Sequence, residues 1–468
     1  MTYVRISGFD GSSRSWVPKD ANQPTIQLPE LDGALLMDEV TISGTADDFG
    51  HLRHLKPVAV LEPASIEDII KVVGFAREHG IKVAARGRGH STFGQSQVEG
   101  GILIKMSTME IPAALQDDTI QVSAGTSWFK VIAFALRHAL RPPVMTHSLE
   151  LSVGGTLSVA GIDGGSYRYG AQIDNVLELQ VVTGEGQLVT CSDTEQPQLF
   201  NAVLAGLGQC GIIVSAKLRL IPADSHARIF RMHYPDLSTL LHDKRLLIAD
   251  GRFDRVQGHI APSQNSEWRY RIIAGKNYTP PKIPNDQSLL QGLNFMKESI
   301  QVRDSSYFRY VDRTFQFASA LIMGKYKQPQ PWFHSLVPDS VSDYFISEVL
   351  SQLALEEIGE DLPIEVIALN RETLTRPLFR VPNEPVSFVF GCLLRTPDTE
   401  AALKKVERNR QFYQRARELG CKHSAISSVQ LTPQEWQEHF HPNWDQFLSA
   451  KQRYDPDNIL TPGPGLFE

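Results

Sequence analysis

The chain has 468 residues, of which 42% are apolar and 21% charged, and it carries a formal charge of −7. That length exceeds what a single hydrophobic core serves, so two domains are expected in a globular protein. The net acidity leaves no basic footprint for nucleic acid or for an anionic membrane surface, so the expected partners are small molecules or other proteins.

Residues 1–50 are rich in Gly, Ser, Pro and Asp and read as an irregular arm without the apolar core of a signal peptide. Order is expected from Pro57. "PVAVLEP" (Pro57–Pro63) reads as a strand and "SIEDIIKVVGFAREHG" (Ser65–Gly80) as a helix. Ser65 is its expected N-cap, Asp68 a favourable carboxylate in the first turn, and Gly80 its stop. "IKVAA" (Ile81–Ala85) and "GGILIKMS" (Gly100–Ser107) are further strands, and together these make a β-α-β-loop-β unit. "TIQVSAG" (Thr119–Gly125) reads as a strand and "SWFKVIAFALRHAL" (Ser127–Leu140) as a helix. "VLELQVVTGEGQLVTCS" (Val176–Ser192) reads as a hairpin turning at Gly184–Gly186. Gln198–Pro222 reads as a helix, a Gly-rich turn and an exit strand. Beyond Pro222 aromatics and charge increase and the glycine clusters stop, so a domain boundary is set near Ala223. Ile273–Gln287 is expected to be a loop.

No run approaches the roughly 18 apolar residues of a membrane span. The four cysteines, Cys191, Cys210, Cys392 and Cys421, form no CxxC pair. No metal site is expected from them, and free thiols fit a reducing, cytoplasmic setting.

"ARGRGHSTFGQ" (Ala85–Gln95) places a lone histidine in a glycine-rich loop after a strand. Gly87 and Gly89 allow positive φ and close approach, and such a turn can gather backbone N–H groups into an anion site suited to a pyrophosphate. Alone it could equally be a surface turn. It is neither a GxGxxG that opens a helix nor a GxxxxGK[ST] loop. A second run, Leu151–Gly170, carries six glycines with Ser152, Thr156 and Ser158 among them, and "GLGQCG" (Gly206–Gly211) is a third. Three such segments could line one elongated ligand, or could be the tight turns of a large α+β domain.

The segments "GRGHSTFGQ", "LSVGGTLSVAGI", "NVLELQVVTGEGQLVTCS", "LFNAVLAGLGQCGII" and "KQRYDPDNILTPGPGLF" resemble the FAD-binding (PCMH-type) domain of the vanillyl-alcohol-oxidase superfamily. The cytokinin dehydrogenases are the most similar subgroup, and "YVDR" (Tyr310–Arg313) and "QPWFHSLVP" (Gln330–Pro338) agree with their substrate domain. The resemblance implies an α+β fold: a two-subdomain FAD-binding domain with an inserted α+β substrate domain built on an antiparallel sheet. The implied division is a flavin domain over 1–222, a substrate domain over 223–422, and a return to the flavin domain over 423–468. It implies FAD bound covalently through the 8α carbon to His90. Gly87, Arg88, Gly89, Ser91 and Gln95 would wrap the pyrophosphate and neighbouring atoms. Ser152, Ser158, Ile162 and Ile213 match further FAD contacts. Thr461 matches a C-terminal one, while Pro464 stands where the family has glutamine. Ser148 occupies the position of a second, cysteinyl flavin link in some relatives, so a single covalent bond is expected.

Two positions depart from the cytokinin dehydrogenases. Their aspartate base falls at His147, within "VMTHSLELSVGG", and their adenine-holding glutamate falls at Gln257, within "DRVQGH". An imidazole can take a proton at neutral pH, so His147 is the candidate base, or else a filler beside the flavin. Gln257 can donate or accept a hydrogen bond but carries no charge. Tyr310, Asp312, Trp332 and His334 are further pocket candidates, each open to a plain packing role. The expected activity is an FAD-dependent oxidase or dehydrogenase acting on a small alcohol, amine or heterocycle and passing electrons to O2 or another acceptor. Cytokinin-type amine oxidation with His147 as base is the alternative, and a redox-inactive flavin-binding protein is a third.

Overall fold

The helix Ile66–Glu78 begins at a capping box. The Ser65 hydroxyl accepts from the Asp68 amide, and the Asp68 carboxylate accepts from the Ser65 amide. Ile69, Val72, Val73 and Ala76 recur at helical spacing and are all buried. The fully buried Asp68 carboxylate also accepts from the amides of Asp32 (2.7 Å), Gly33 (2.9 Å) and Ala64 (2.8 Å), so one cap clamps the N-terminal arm onto the helix. The computed structural model describes residues 6–10, 13, 15–18, 26–109, 113–263, 265, 267–312, 327–359 and 361–467.

This helix crosses between strands Ala59–Glu62 and Val83–Arg86 of a four-stranded sheet. Both pair in parallel with Ile102–Lys105, and Ala34–Leu36 adds an antiparallel edge. The arm is thus more ordered than its composition suggests. It carries that edge strand, the helix Glu39–Thr45 and three short paired strands, Ile6–Asp10, Ser15–Pro18 and Ile26–Gln27. Tertiary burial forms them: Leu35 and Leu36 are buried on the sheet, and Phe75 of the helix meets Phe9 edge-on and Trp16 at a tilt.

A second, antiparallel sheet runs in the order Leu188–Ser192, Val176–Val182, Ile212–Arg219, Thr119–Ser123, Ala114–Gln116. Its hairpin closes at Gly184–Gly186, with Val182 opposite Leu188 and Gly186 at φ +72°. The helix capped by Ser127 ends at Leu136 rather than Leu140. Ala139 turns at positive φ, and Leu140–Arg141 pairs instead with Ile221–Pro222.

The third sheet has eight antiparallel strands in the order Gln301–Ser306, His226–Tyr234, Trp268–Tyr278, Arg255–Pro262, Ile364–Asn370, Val386–Cys392, Phe333–Pro338, Lys422–His423. Ile273–Tyr278 is strand, not loop, because His226–Tyr234 pairs with Trp268–Tyr278 along its length. The fold is α+β, with a sheet-based second half, as expected. The chain end returns to the first sheet: Leu460 bridges in parallel to Val83, and the Thr461 amide donates to the Val83 carbonyl at 2.7 Å. No helix among the described residues is long and apolar enough to cross a membrane.

The helix Leu237–Asp250 packs beneath the eight-stranded sheet and buries Lys244 completely. A Cβ added to Gly258 would lie 3.3 Å from its Cδ, and its Nζ has no hydrogen-bond partner. Desolvation lowers the ammonium to about 7 from 10.5. The charge therefore opposes folding in full below pH 7, and the penalty fades as pH rises toward 10.5. Lys244→Met is expected to stabilise the fold by about 2–4 kcal/mol at pH 7. Urea denaturation at pH 7 and pH 10 checks this, the gain shrinking at the higher pH.

Candidate functional site

Strand Val83–Arg86 delivers the loop Gly87–Gln95. Gly89 sits at φ +69° directly over the Arg86 guanidinium, where a Cβ would lie 2.2 Å from Nη2. Arg86 in turn donates to the carbonyls of Thr45 (3.1 Å) and Asp47. A Cβ at Gly87 would lie 2.0 Å from the Ser152 Oγ, so bare backbone is required where the first and second glycine segments meet. The Ser91 hydroxyl and the Gly94 amide donate to the buried Asp48 carboxylate at 3.1 and 2.7 Å. Burial pushes that carboxyl up to about 6 against those donors. Gln95 donates to the Ala425 carbonyl at 3.1 Å, tying the loop to the C-terminal segment. Arg88 is exposed and lies 3.4 Å from Glu150.

The other segments close around this loop. Ser152 precedes the short helix Val153–Leu157, whose first amides donate to Thr126 (2.9 Å) and Ala124 (2.8 Å) at the end of the second sheet. The Ser158 hydroxyl donates to Gly154 at 2.8 Å, and its carbonyl accepts the Leu207 amide of the third glycine segment at 3.1 Å. Thr461 donates through Oγ1 to the Gly208 carbonyl at 3.0 Å. Ile213 is buried on strand Ile212–Arg219, and Ile162 is half-buried beside Gly161. A buried pair, Lys451 and Asp455 at 2.6 Å, shapes the terminal turn, with Asp455 accepting from Ile459 and Leu460. The three glycine segments and Thr461 are thus brought together.

His90 stacks on Phe49, ring centroids 4.0 Å apart and planes 12° from parallel, with Trp332 5.9 Å away. Desolvation, and then the nearby His147, push its imidazole down to about 4. At neutral pH the ring is uncharged and keeps a nitrogen lone pair.

His147 lies with Nδ1 2.8 Å from Oε1 of Glu365. Glu365 belongs to a row crossing the third sheet: it pairs with His259 on one side and Gly391 on the other, and Gly391 pairs with His334. Directly paired residues share a face. A Cβ at Gly391 would lie 2.5 Å from the His334 Cε1, so this glycine is the space the His334 ring occupies. Glu365 is buried, which alone would raise its carboxyl. His147, His259 and His334 instead hold it well below the ordinary carboxylate range. His334 is buried and lowered to about 4 by desolvation, hence neutral. Gln257, two residues before His259 on the same face, is 2% exposed, and its Cγ would lie 2.7 Å from a Cβ at Gly164. The second glycine run therefore abuts the third sheet at Gln257.

Among the pocket candidates, Trp332 and His334 stand beside His90 and Glu365, and Trp332 packs with Phe49, Leu362 and Leu393. Tyr310 belongs elsewhere, over Gly275 and 5.7 Å from the Arg255 guanidinium, which pairs with Asp163. Asp312 ends the short helix Tyr307–Val311, and Arg313 lies outside the described residues. All four cysteines are free and buried. Among the described residues, no group of three or more His, Cys, Asp or Glu is arranged to hold a metal ion. Sequence reasoning missed Glu365 and His259. The signal for Glu365 was a lone carboxylate within the apolar run "PIEVIALN".

Residues 57–192 match the family model described as an FAD binding domain. Residues 284–467 match the model described as cytokinin dehydrogenase 1, FAD and cytokinin binding. An uncharacterized oxidoreductase of the fasciation locus of Rhodococcoides fascians is 33% identical over 434 residues, covering 92% of this chain and 99% of that protein. Cytokinin dehydrogenase 9 of Oryza sativa subsp. japonica is 32% identical over 508 residues, covering 99% and 96%. Cytokinin dehydrogenase 1 of Arabidopsis thaliana is 30% identical over 495 residues, covering 96% and 85%. The crystal structure of 6-hydroxy-D-nicotine oxidase from Arthrobacter nicotinovorans shares the fold, with a TM-score of 0.71 at 18% identity over 92% of this chain and 96% of that one. A glycine-lined cradle leading to a buried histidine and carboxylate cluster thus sits on a PCMH-type fold, and the chain belongs to the cytokinin dehydrogenase family of FAD-dependent oxidoreductases.

Proposed function

We propose that this enzyme oxidises a small organic substrate, with FAD tethered to His90 and with His147 taking the substrate's proton. When bound, FAD supplies a two-electron acceptor for a hydride leaving a substrate C–H bond. The residues fit that cofactor: a cradle of bare backbone at Gly87 against Ser152, and a neutral imidazole whose ring nitrogen is free of a proton charge. Gly87, Arg88, Gly89, Ser91 and Gln95 would hold it from one side. Ser152, Ser158, Ile162, Ile213 and Thr461 would hold it from the others. We assign 1–222 with 423–468 to cofactor binding and 223–422 to the substrate. The return of Leu460 to Val83 supports that division. Four buried, unpaired thiols support a reducing, cytoplasmic setting.

The observation that carries the reading is His147 beside a buried carboxylate and close enough to His90 to lower its basicity. As the hydride leaves carbon, the O–H or N–H on that carbon must lose its proton. An imidazole held at that point accepts it, and a C=O or C=N bond results. Gln257 and the neutral His334 offer hydrogen bonds without charge and would orient the substrate.

A second reading keeps an N6-substituted adenine as substrate, favoured by the match of residues 284–467 to a cytokinin-binding model. Anaerobic mixing of the yellow protein with N6-isopentenyladenine and with a panel of small alcohols, amines and N-heterocycles separates the readings. Bleaching of the visible flavin band by a panel member and not by the adenine supports the first, and the reverse supports the second. A flavin that none of them reduces would leave a redox-inactive binder. The final electron acceptor, O2 or another, is read from reoxidation in air.

A further inference from the structure

We propose that Glu365 is a positioning residue for the base: its carboxylate, in ion-pair contact with Nδ1 of His147, favours the tautomer protonated there, whose bare Nε2 faces the substrate. This rests on His147 being the base. The Nδ1 to Oε1 separation of 2.8 Å sets the carboxylate charge against one particular ring nitrogen, although Oε1 is not aligned to accept a hydrogen bond in this conformation. A neutral imidazole carries one N–H, and a carboxylate beside Nδ1 favours the proton there, which leaves Nε2 as acceptor.

The cost of this carboxylate argues that it has a task. Glu365 sits between Ile364 and Val366 in a strand that continues with the buried, apolar Ile367, Ala368 and Leu369 before the half-buried Asn370. Among the described residues it meets no Lys or Arg within ion-pair distance. A buried carboxylate without a cation is poorly solvated, and an apolar residue would serve packing better. What offsets the burial is imidazole: chiefly His147 from the loop before the second glycine run, then His259 from the adjacent strand, while the neutral His334 lines the gap left by Gly391. His90 also lies close enough to His147 for the two rings to interact electrostatically.

In the reaction, the substrate's O–H or N–H bond breaks and its proton passes to Nε2. The hydride leaves carbon with its bonding pair for the flavin, and the C=O or C=N bond forms. Glu365 stays ionised and stabilises the imidazolium created beside it, a role that needs charge at Oε1 and not merely volume.

The test uses the holoenzyme labelled with 15N-histidine. The His147 signals, assigned by their loss in His147→Gln, are expected to show the Nδ1–H tautomer in the parent. In Glu365→Gln they are expected to show a mixed or Nε2–H form, because the amide can donate to Nδ1. A parent ring protonated at Nε2, or an unchanged tautomer in Glu365→Gln, overturns the proposal without a substrate being needed. With the panel compound that bleaches the flavin fastest, Glu365→Gln is expected to slow reduction by about 10²-fold or more. It should also move the acid limb of the rate profile to lower pH by about one unit or more, since the imidazolium loses its counter-ion. Glu365→Asp keeps the charge and is expected to keep the acid limb and lose less than about tenfold, which guards against a variant that merely misfolds. Adding Glu365→Gln to His147→Ala should cost little further, and additive losses would overturn the proposal. A His147→Ala enzyme that reduces its flavin normally sinks the base itself, whereas a slow His147→Ala with a normal Glu365→Gln sinks only the positioning role.

Discussion

His90→Ala is expected to give a colourless pellet when the purified protein is precipitated with acid, where the parent pellet is yellow. Acid unfolds the chain and releases any flavin held by contacts alone, so colour in the pellet reports a covalent bond. The expectation rests on the state of the imidazole. A histidine can form an N–C bond only through an unprotonated nitrogen, and burial with a neighbouring His147 holds this ring at about 4, neutral across the whole physiological range. Its stacking on Phe49 at 4.0 Å fixes the direction in which the ring edge points. The loop is anchored independently of that side chain, through Ser91 and Gly94 on Asp48, Gln95 on Ala425 and Arg86 beneath Gly89. The variant should therefore fold and still bind FAD reversibly, giving a yellow native protein whose flavin leaves on denaturation. Colour retained in the His90→Ala pellet would place the tether elsewhere.

The second large effect is on turnover. His147→Ala is expected to slow flavin reduction by about 10²–10⁴-fold, the range in which a positioned general base contributes. Its KM should change less, because the loss falls mainly on the step in which the proton moves. Rapid-mixing measurement of flavin bleaching under anaerobic conditions checks it. The parent rate should fall as pH drops and the imidazole is protonated, and the variant should lose that limb. His90 and His334 do not confuse the profile above pH 5, since both are lowered to about 4 and stay neutral there. An unchanged rate would make His147 a spacer beside the flavin.

Much of the first half was legible because its signals are local. Ser65 and Asp68 lie three residues apart, and a capping box needs nothing else. Val176–Ser192 folds on its own turn, so alternation and Gly184–Gly186 suffice to mark it. The arm before Pro57 was less readable, since its strands and helix are held by Asp68, Phe75 and the sheet edge rather than by their own propensity. The same holds for Ile273–Tyr278, which looks like a loop until His226–Tyr234 is laid beside it.

The order of residues along the chain determined the family, the glycine segments and the histidine at their mouth, and singled out His147 as the candidate base. Each rests on a short motif. The three-dimensional fold alone decided what surrounds that histidine. Glu365 reaches it from a distant strand, His334 fits only where Gly391 has no side chain, and His259 stands in the same row through sheet register. Pairing between remote strands leaves no periodic mark in sequence, because the partner that makes a buried carboxylate tolerable is chosen by topology and not by neighbours along the chain.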